Sequence, residues 1–374
     1  MKFTLSCTEL ASHLQAIGKV ISTKNKISIL DCFLFEVKGL VLTITASDSE
    51  NTLITSVELA EASDDGRFAI NAKTIQDALK GIPEQPITFE INAANYETKL
   101  IYQNGFFSLV CQNADEYPSN TEPALEAGKI TVDANVLSES LTRALLAVAE
   151  DNIRPVMTGV YFDITEKNAT VVASDGRKLV YTRWNNAESA KAMSFILPHK
   201  PAQLLKGMLA KESGDVVVRF DEQRAEVEMK AFHMSCRLIE GRFPNYNSVI
   251  PTNNPNSVNV NRVAFINALR RVMVFSDEVS SLVKLHLEAN KLTISVQNLD
   301  YSLSAEESML CEYDGIPMNI GLRSTTLVEL LNNLQSEEVA FHLADQSRAA
   351  IIVPAPQPEN LEIVMLLMPI MLNE

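Results

Sequence analysis

The chain is 374 residues long with 46% hydrophobic and 21% charged residues, the composition of an ordinary soluble protein of two or three domains. No apolar run reaches the ~18 residues of a membrane helix, and Glu9 interrupts the N-terminus before a signal-peptide core can form; no membrane association and a cytoplasmic location are expected. A net charge of −15 argues against phosphate binding by the average surface, though an acidic protein can still carry one basic stripe.

The elements recur in order. An apolar-periodic helix with Leu10, Leu14 and Ile17 comes first, and a strand from Leu42 runs to a polar end at Ser47-Asp48. Lys73 opens a second helix, and the stretch closes at Tyr117-Pro118. The pattern returns with Leu137, Leu141, Leu145 and Val148, a strand Thr170 to Asp175, a helix opened by Lys200, and Phe243-Pro244. Val216–Phe220 and 225–229 flank a turn at Asp221-Glu222-Gln223 and read as a hairpin. A third round brings Ile266, Leu269 and Met273, a strand Leu292 to Asn298, Arg323, and Met368-Pro369. Landmarks returning about every 125 residues indicate three domain-sized copies, too large for solenoid units. Turn-forming stretches Ser119-Asn120-Thr121-Glu122-Pro123 and Pro251-Thr252-Asn253-Asn254-Pro255-Asn256 place the domains at 1–122, 123–253 and 254–374. Two helices on one side of an antiparallel sheet make each copy an α+β layer, and the free sheet edges at the chain's two ends invite a second chain.

The charge is unevenly spread. The six predicted helices, roughly 8–21, 72–80, 133–149, 199–211, 262–275 and 323–334, carry Lys19, Lys73, Lys80, Arg143, Lys200, Lys206, Lys211, Arg262, Arg270, Arg271 and Arg323. Against them stand only Glu9, Asp77, Asp133, Glu139 and Glu329, whereas the whole chain has 32 basic and 47 acidic residues. Two readings are open: solvated helix faces favouring lysine, or six helices facing one polyanion.

Catalytic constellations are absent from the sequence. It has no GxGxxG, P-loop or GxSxG, and the five histidines show no zinc spacing, so no cofactor and no metal are expected. The five cysteines are scattered, as buried thiols of a reducing compartment would be. Asp48 with Glu50 and Asp175 with Arg177 could be acid–base pairs, but they sit at a repeated strand end where Asp or Asn caps a turn, and the third copy has Asn298.

Met1-Lys2-Phe3-Thr4, Ala46-Ser47-Asp48-Ser49-Glu50, Arg154-Pro155-Val156-Met157-Thr158-Gly159, Ala173-Ser174-Asp175-Gly176-Arg177-Lys178-Leu179, Gly241-Arg242-Phe243-Pro244-Asn245-Tyr246 and Met368-Pro369-Ile370 resemble the bacterial β sliding clamp family, in order and almost end to end. The resemblance implies a head-to-tail homodimer of three-domain chains closing a ring around duplex DNA, with no catalytic activity. It implies as partners the replicative polymerase, the clamp loader, repair polymerases and other proteins with a clamp-binding motif. It implies DNA-facing positions at Lys24, Lys73, Lys80 and Lys200, to which Arg154 and Lys206 are added. The partner-peptide cleft would comprise Met157, Ser174, Gly176, Arg177, Lys178, Leu179, Pro244, Val249, Leu366, Leu367, Met368, Pro369, Ile370 and Met371. The dimer interface would pair Phe107 and Leu109 with Val274 and Phe275. Departures are Ser174-Asp175-Gly176-Arg177-Lys178 for the family's frequent Thr-Asp-Gly-His-Arg, and an end without its terminal Arg.

If the six helices of a chain line a hole, geometry supports two chains independently. Helices packed ~10 Å apart put six axes on a circle of about 19 Å, leaving an opening of roughly 9 Å. Twelve leave about 28 Å, which admits a duplex. Two other classes stay in play: an enzyme with an unrecognised site, which a strongly pKa-shifted residue in a deep cleft would reveal, and a protein-binding scaffold, which would not be retained on circular DNA. Pro369 breaks strand pairing, so the residues after it are expected to peel away from the sheet.

Overall fold

The computed structural model describes residues 1–22, 24–118, 128–151, 153–185, 187, 192–277, 279–298 and 301–372. The stretch Ser119–Pro123, with the first expected domain boundary, lies outside the described residues, as do Asn373 and Glu374.

The first repeat runs β1 (Lys2–Ser6), α1 (Cys7–Ile17), β2 (Cys32–Lys38), β3 (Val41–Ser47), β4 (Asn51–Glu58), the short β5 (Glu61–Ala62), β6 (Gly66–Asn71), α2 (Ala72–Lys80), β7 (Pro86–Ile91), β8 (Glu97–Tyr102) and β9 (Gly105–Val110). The second runs β10 (Gly128–Asp133), α3 (Ala134–Leu145), β11 (Gly159–Ile164), β12 (Ala169–Ser174), β13 (Lys178–Trp184), β14 (Met193–Pro198), α4 (His199–Leu209), β15 (Asp215–Phe220), β16 (Arg224–Glu228) and β17 (Phe232–Arg237). The third runs β18 (Asn256–Asn261), α5 (Arg262–Met273), β19 (Leu282–Glu288), β20 (Lys291–Asn298), β21 (Leu303–Leu310), β22 (Met318–Arg323), α6 (Ser324–Asn332), β23 (Glu338–Leu343), β24 (Ala350–Ala355) and β25 (Leu361–Leu367).

Each expected helix and the 216–229 hairpin form where the periodicity put them. Each helix follows its strand directly, and the last strand residue often supplies the cap. Ser6, Asn71 and Asn261 accept from the backbone N–H of Glu9, Thr74 and Ala264, satisfying a donor the first helical turn leaves open. Most of the predicted apolar faces are buried: Leu10, Leu14 and Ile17 on α1, and Ile266 and Leu269 on α5, where Phe265 and Val272 complete the buried face and the expected Met273 is only half-buried.

The sheets differ from the expectation of one layer per copy. Every repeat is double, a strand, a helix and a three-strand meander written twice, and the opening strand of each half pairs with the meander of the other. A repeat therefore supplies a four-stranded run to each of two sheets. The described residues form two compact units, Met1–Asn135 with Gly207–Leu238, and Val136–Lys206 with Ile239–Glu374. The first unit holds β5-β1-β7-β8-β9 and β10-β15-β16-β17-β4-β3-β2-β6; the second holds β14-β11-β12-β13-β25-β24-β23-β18 and β21-β20-β19-β22. The second repeat divides because its two last meander strands each find a partner in a different neighbour: β17 pairs with β4, placing Cys236 opposite Asn51, and β13 pairs with β25, placing Lys178 opposite Leu367. Two last meander strands, β9 and β21, remain at sheet edges.

Candidate functional site

The second unit carries a groove of about 1230 Å³. Arg154, Arg177, Lys178, Lys200 and Lys206 line it, with Glu150, Asp151, Asp175 and Glu329. Expected DNA-facing residues and expected cleft residues thus share one groove. Lys178 Nζ lies 3.7 Å from a Glu329 carboxylate oxygen across it, a partly exposed pair that holds position more than it stabilises. In the first unit Lys24 and Lys73 are exposed, and Lys80 is exposed while paired with Asp77 at 2.7 Å.

The turn joining β12 to β13 shows what its acid is for. Asp175 Oδ1 accepts from the N–H of Arg177 and Lys178, both at 2.8 Å, and the Ser174 hydroxyl donates to the Lys178 carbonyl. Asp48 accepts from the N–H of Glu50 and Asn51 in the first repeat, and Asn298 from that of Tyr301 in the third. These side chains cap turns, as the repeated strand end predicted. Gly176 has φ +88°, and a Cβ there would lie 3.0 Å from Arg154 Nη2. Arg154 itself donates to the Asp175 carbonyl at 3.2 Å, so its guanidinium lies over the turn.

On the cleft side β13 and β25 set Leu179 opposite Leu366 and Lys178 opposite Leu367. Leu179 and Leu366 join Val172, Ile196, Phe243, Tyr246, Ile351 and Val364 in one buried cluster, with Val156 and Ile250 packed on it. Tyr161 stacks on Phe243 with ring centroids 4.7 Å apart. The Tyr246 hydroxyl donates to Asp163 at 2.8 Å, and burial, then that carboxylate, push the phenol up to about 12, so it stays a donor. Met157 is buried with Leu366 and Leu367, whereas Pro244, Val249, Met368 and Met371 are exposed. A rigid apolar base thus meets an adaptable methionine rim.

Pairing with β13 ends at Leu367 and the residues after Pro369 leave that sheet, as expected, but Ile370 is taken up by the other sheet: its N–H donates to the Gly321 carbonyl at 2.8 Å, forming a bridge to β22. The open edge of β22 supplied an acceptor that local sequence could not reveal.

Charge on the helices also sorts differently from the count. Arg143 is only 3% exposed; it donates to the Thr182 hydroxyl at 3.2 Å and to Glu139 at 3.2 Å, and burial pushes its pKa down. Arg262 donates to the carbonyls of Ser336 and Leu331 near the end of α6, and Arg271 pairs with Glu307. Arg143 and Arg262 are spent on the fold, and Arg271 on a largely exposed surface pair. Arg143→Met should lower stability by about 1–3 kcal/mol, because Thr182 loses its partner in a buried site, while leaving DNA retention unchanged; thermal unfolding beside a binding titration checks both halves.

Sequence reasoning named Phe107 and Leu109, half-buried on β9, and Val274 and Phe275, which are 76% and 40% exposed after α5. It did not name Phe106, Val110, Leu303 and Leu310, which are exposed by 59%, 70%, 41% and 84% along the edge strands. Their signal is an apolar residue on a strand's outward face, visible only once the edge is known.

All five cysteines are free and buried, and burial pushes Cys32 and Cys111 to about 11 and Cys236 to about 12. Such thiols are poor nucleophiles near neutral pH. Among the described residues no cluster of three or more His, Cys, Asp or Glu could hold a metal ion, and no helix is long and apolar enough to cross a membrane.

Comparison with known proteins agrees with this architecture along the whole chain. Family models of the DNA polymerase III beta subunit match in series: the N-terminal domain over residues 1–121, the central domain over 131–245 and the C-terminal domain over 247–370. The beta sliding clamp of Haemophilus influenzae is 27% identical over 354 residues, covering 94% of this chain and 95% of that one. The DNA polymerase III beta subunit of Thermotoga maritima superposes with a TM-score of 0.90 at 26% identity over the full length of both chains. A Pseudomonas aeruginosa sliding clamp bound to griselimycin superposes at 0.94 with 24% identity, again over both full lengths, which speaks to the fold.

Proposed function

The chain belongs to the DNA polymerase III beta subunit family, and from that premise we propose that it is a sliding clamp, a ring of two copies that encircles duplex DNA and tethers a polymerase. The observation that carries this reading is the unfinished strand pairing. Number the half-repeats one to six: the last strand of the first pairs with that of the fourth (β4 with β17), and that of the third with that of the sixth (β13 with β25). Continuing the series, the fifth half pairs with the second half of another copy, β21 with β9. Both are long unpaired edges bearing exposed apolar side chains, a liability unless covered. Applied from both ends, the rule gives a closed head-to-tail assembly, and the pore estimate selects two chains over one.

Register follows from the same equivalence. Asn51 and Lys178 open their strands opposite Cys236 and Leu367, and the matching positions are Leu303 on β21 and Leu109 on β9. Leu109 then faces Leu303 and Phe107 faces Ala305 across copies, with Val274 and Phe275 beside them.

The ring performs no chemistry. A wide pore with modest positive potential holds DNA without gripping it, and phosphate contacts carry no sequence information, so the clamp slides on any duplex. Its effect on synthesis is concentration: a polymerase held by the Leu179–Leu366 cleft stays at the primer end. The clamp loader, repair polymerases and other proteins with a clamp-binding motif would compete for the same cleft, in the cytoplasm. Three domains at 1–122, 123–253 and 254–374 complete the reading.

Retention tests it. The protein should have the molar mass of two chains and remain on nicked circular DNA while running off the linearised molecule; equal loss from both would refute the ring. Reversing two of Lys24, Lys73, Lys80 and Lys200 should weaken DNA association without unfolding, reducing the salt slope by about one per lost phosphate contact. An unchanged slope would mean that these lysines are only solvated.

A further inference from the structure

The end of each repeat is tied to its own edge strand in the same place. After β9, Gln112 bridges Ala69 on β6, with bonds of 2.9 and 2.7 Å; after β17, the Ile239 N–H donates to the Ile196 carbonyl on β14 at 3.0 Å; after β25, Ile370 bridges Gly321 on β22. Ala69, Ile196 and Gly321 each lie three residues before a helix starts. The tie does not itself demand glycine, since alanine and isoleucine serve in the first two repeats.

What differs in the third is how close the strap comes. A Cβ on Gly321 would lie 2.5 Å from the Ile370 carbonyl oxygen, 2.9 Å from Leu372 Cδ2 and 3.0 Å from Leu282 Cδ1. The first of these is backbone and cannot rotate aside. At its other end the strap is fixed by the Met368 N–H, which donates to the Arg177 carbonyl at 2.8 Å. Met368 at the first anchor and Met371 just after the second are 42% and 59% exposed.

We propose that Gly321 is a positioning residue for the partner cleft: by admitting the tail backbone onto β22 it sets where the methionine rim stands, although it lies outside the cleft. The inference rests on the proposed cleft and adds a residue the cleft does not contain. The tail is then a strap pinned at Arg177 and Gly321 and presented in one conformation before a partner arrives. Partner binding accordingly avoids part of the ordering cost that a free terminus would carry.

The test uses the full-length dimer and a labelled synthetic peptide carrying one glutamine, two leucines and a phenylalanine. Gly321→Ala, Gly321→Val and Ile370→Pro are compared, the last removing the same hydrogen bond from the tail side without touching Gly321. Each should lose hydrogen-exchange protection at residue 370 or its neighbours and bind the peptide about two- to tenfold more weakly, the range that one lost hydrogen bond spans. Dimer mass and retention on circular DNA should stay at the wild-type level for Gly321→Ala. Wild-type affinity in folded Gly321→Ala and Ile370→Pro overturns the proposal, whatever becomes of the exchange protection. A chain ending at Leu367 separates this from failure of the cleft assignment: if it binds the peptide normally, the cleft lies elsewhere; if it fails to bind while the Gly321 variants bind fully, only the positioning role falls.

Discussion

Phe107→Asp or Phe275→Asp should convert the dimer to monomers that leave circular DNA as fast as linear. Phe107 lies on one of the two strand edges that the pairing rule brings together and Phe275 beside the other, and a two-chain ring contains that junction twice. One substitution therefore removes two aromatic contacts per ring, each contributing about 1.5–3 kcal/mol when fully buried. It also places a carboxylate in each of two desolvated, largely apolar seams, a cost of several kcal/mol apiece. Analytical ultracentrifugation reads the outcome, and unchanged dimer mass in both variants would refute this interface. The register has its own check. Residues directly opposite in an antiparallel pair have Cα atoms about 4.5–5.5 Å apart, inside the range a disulfide spans. Leu109→Cys combined with Leu303→Cys should thus crosslink chains under mild oxidation, while Leu109→Cys with Ser304→Cys should do so poorly. All five natural cysteines are buried, which keeps the background low.

Much of this was legible in the residues because it is local. Leu10, Leu14 and Ile17 set a helical face, and Asp48, Asp175 and Asn298 mark strand ends that cap turns. The closing prolines recur in sequence but not in place: Pro369 comes two residues after β25, whereas Pro118 and Pro244 come eight and seven residues after β9 and β17. The internal doubling of each repeat was not legible, since the two halves share only a strand, a helix and a meander, without matching landmarks. Nor could composition tell a pore-facing arginine from a buried one. Arg143 and Lys206 both sit on helices in the basic count, and only the packing of α3 against Thr182 shows that the first is spent on the fold. The strap was hidden for the same reason: the bond from Ile370 to Gly321 joins positions 49 residues apart on an edge that exists only after β22 has paired with β19.

Deleting Met368 to Glu374 should abolish partner-peptide binding and polymerase stimulation while the dimer and its retention on DNA persist. The separation is physical. Residues Met365, Leu366 and Leu367 are buried at 0%, 4% and 3% exposure in a strand paired on both sides, so at about 1.5–3 kcal/mol for each side chain β25 stays in place without the tail. What is lost is the rim: two exposed methionines and the strap from Arg177 to Gly321 that carries them. The base formed by Leu179, Phe243 and Leu366 would remain but would face water on its open side. A peptide with a glutamine and two or more leucine or phenylalanine side chains would then have a floor without a wall, and its apolar contacts would be left half made. The edges β9 and β21 lie outside the deleted segment, so ring closure should not follow the cleft. Fluorescence anisotropy with the labelled peptide, primer extension on a circular template and molar mass on the same preparation give the three readings together. Normal peptide binding by the truncated dimer would place the cleft elsewhere, and loss of the dimer would show that the tail supports β25 more than its burial implies.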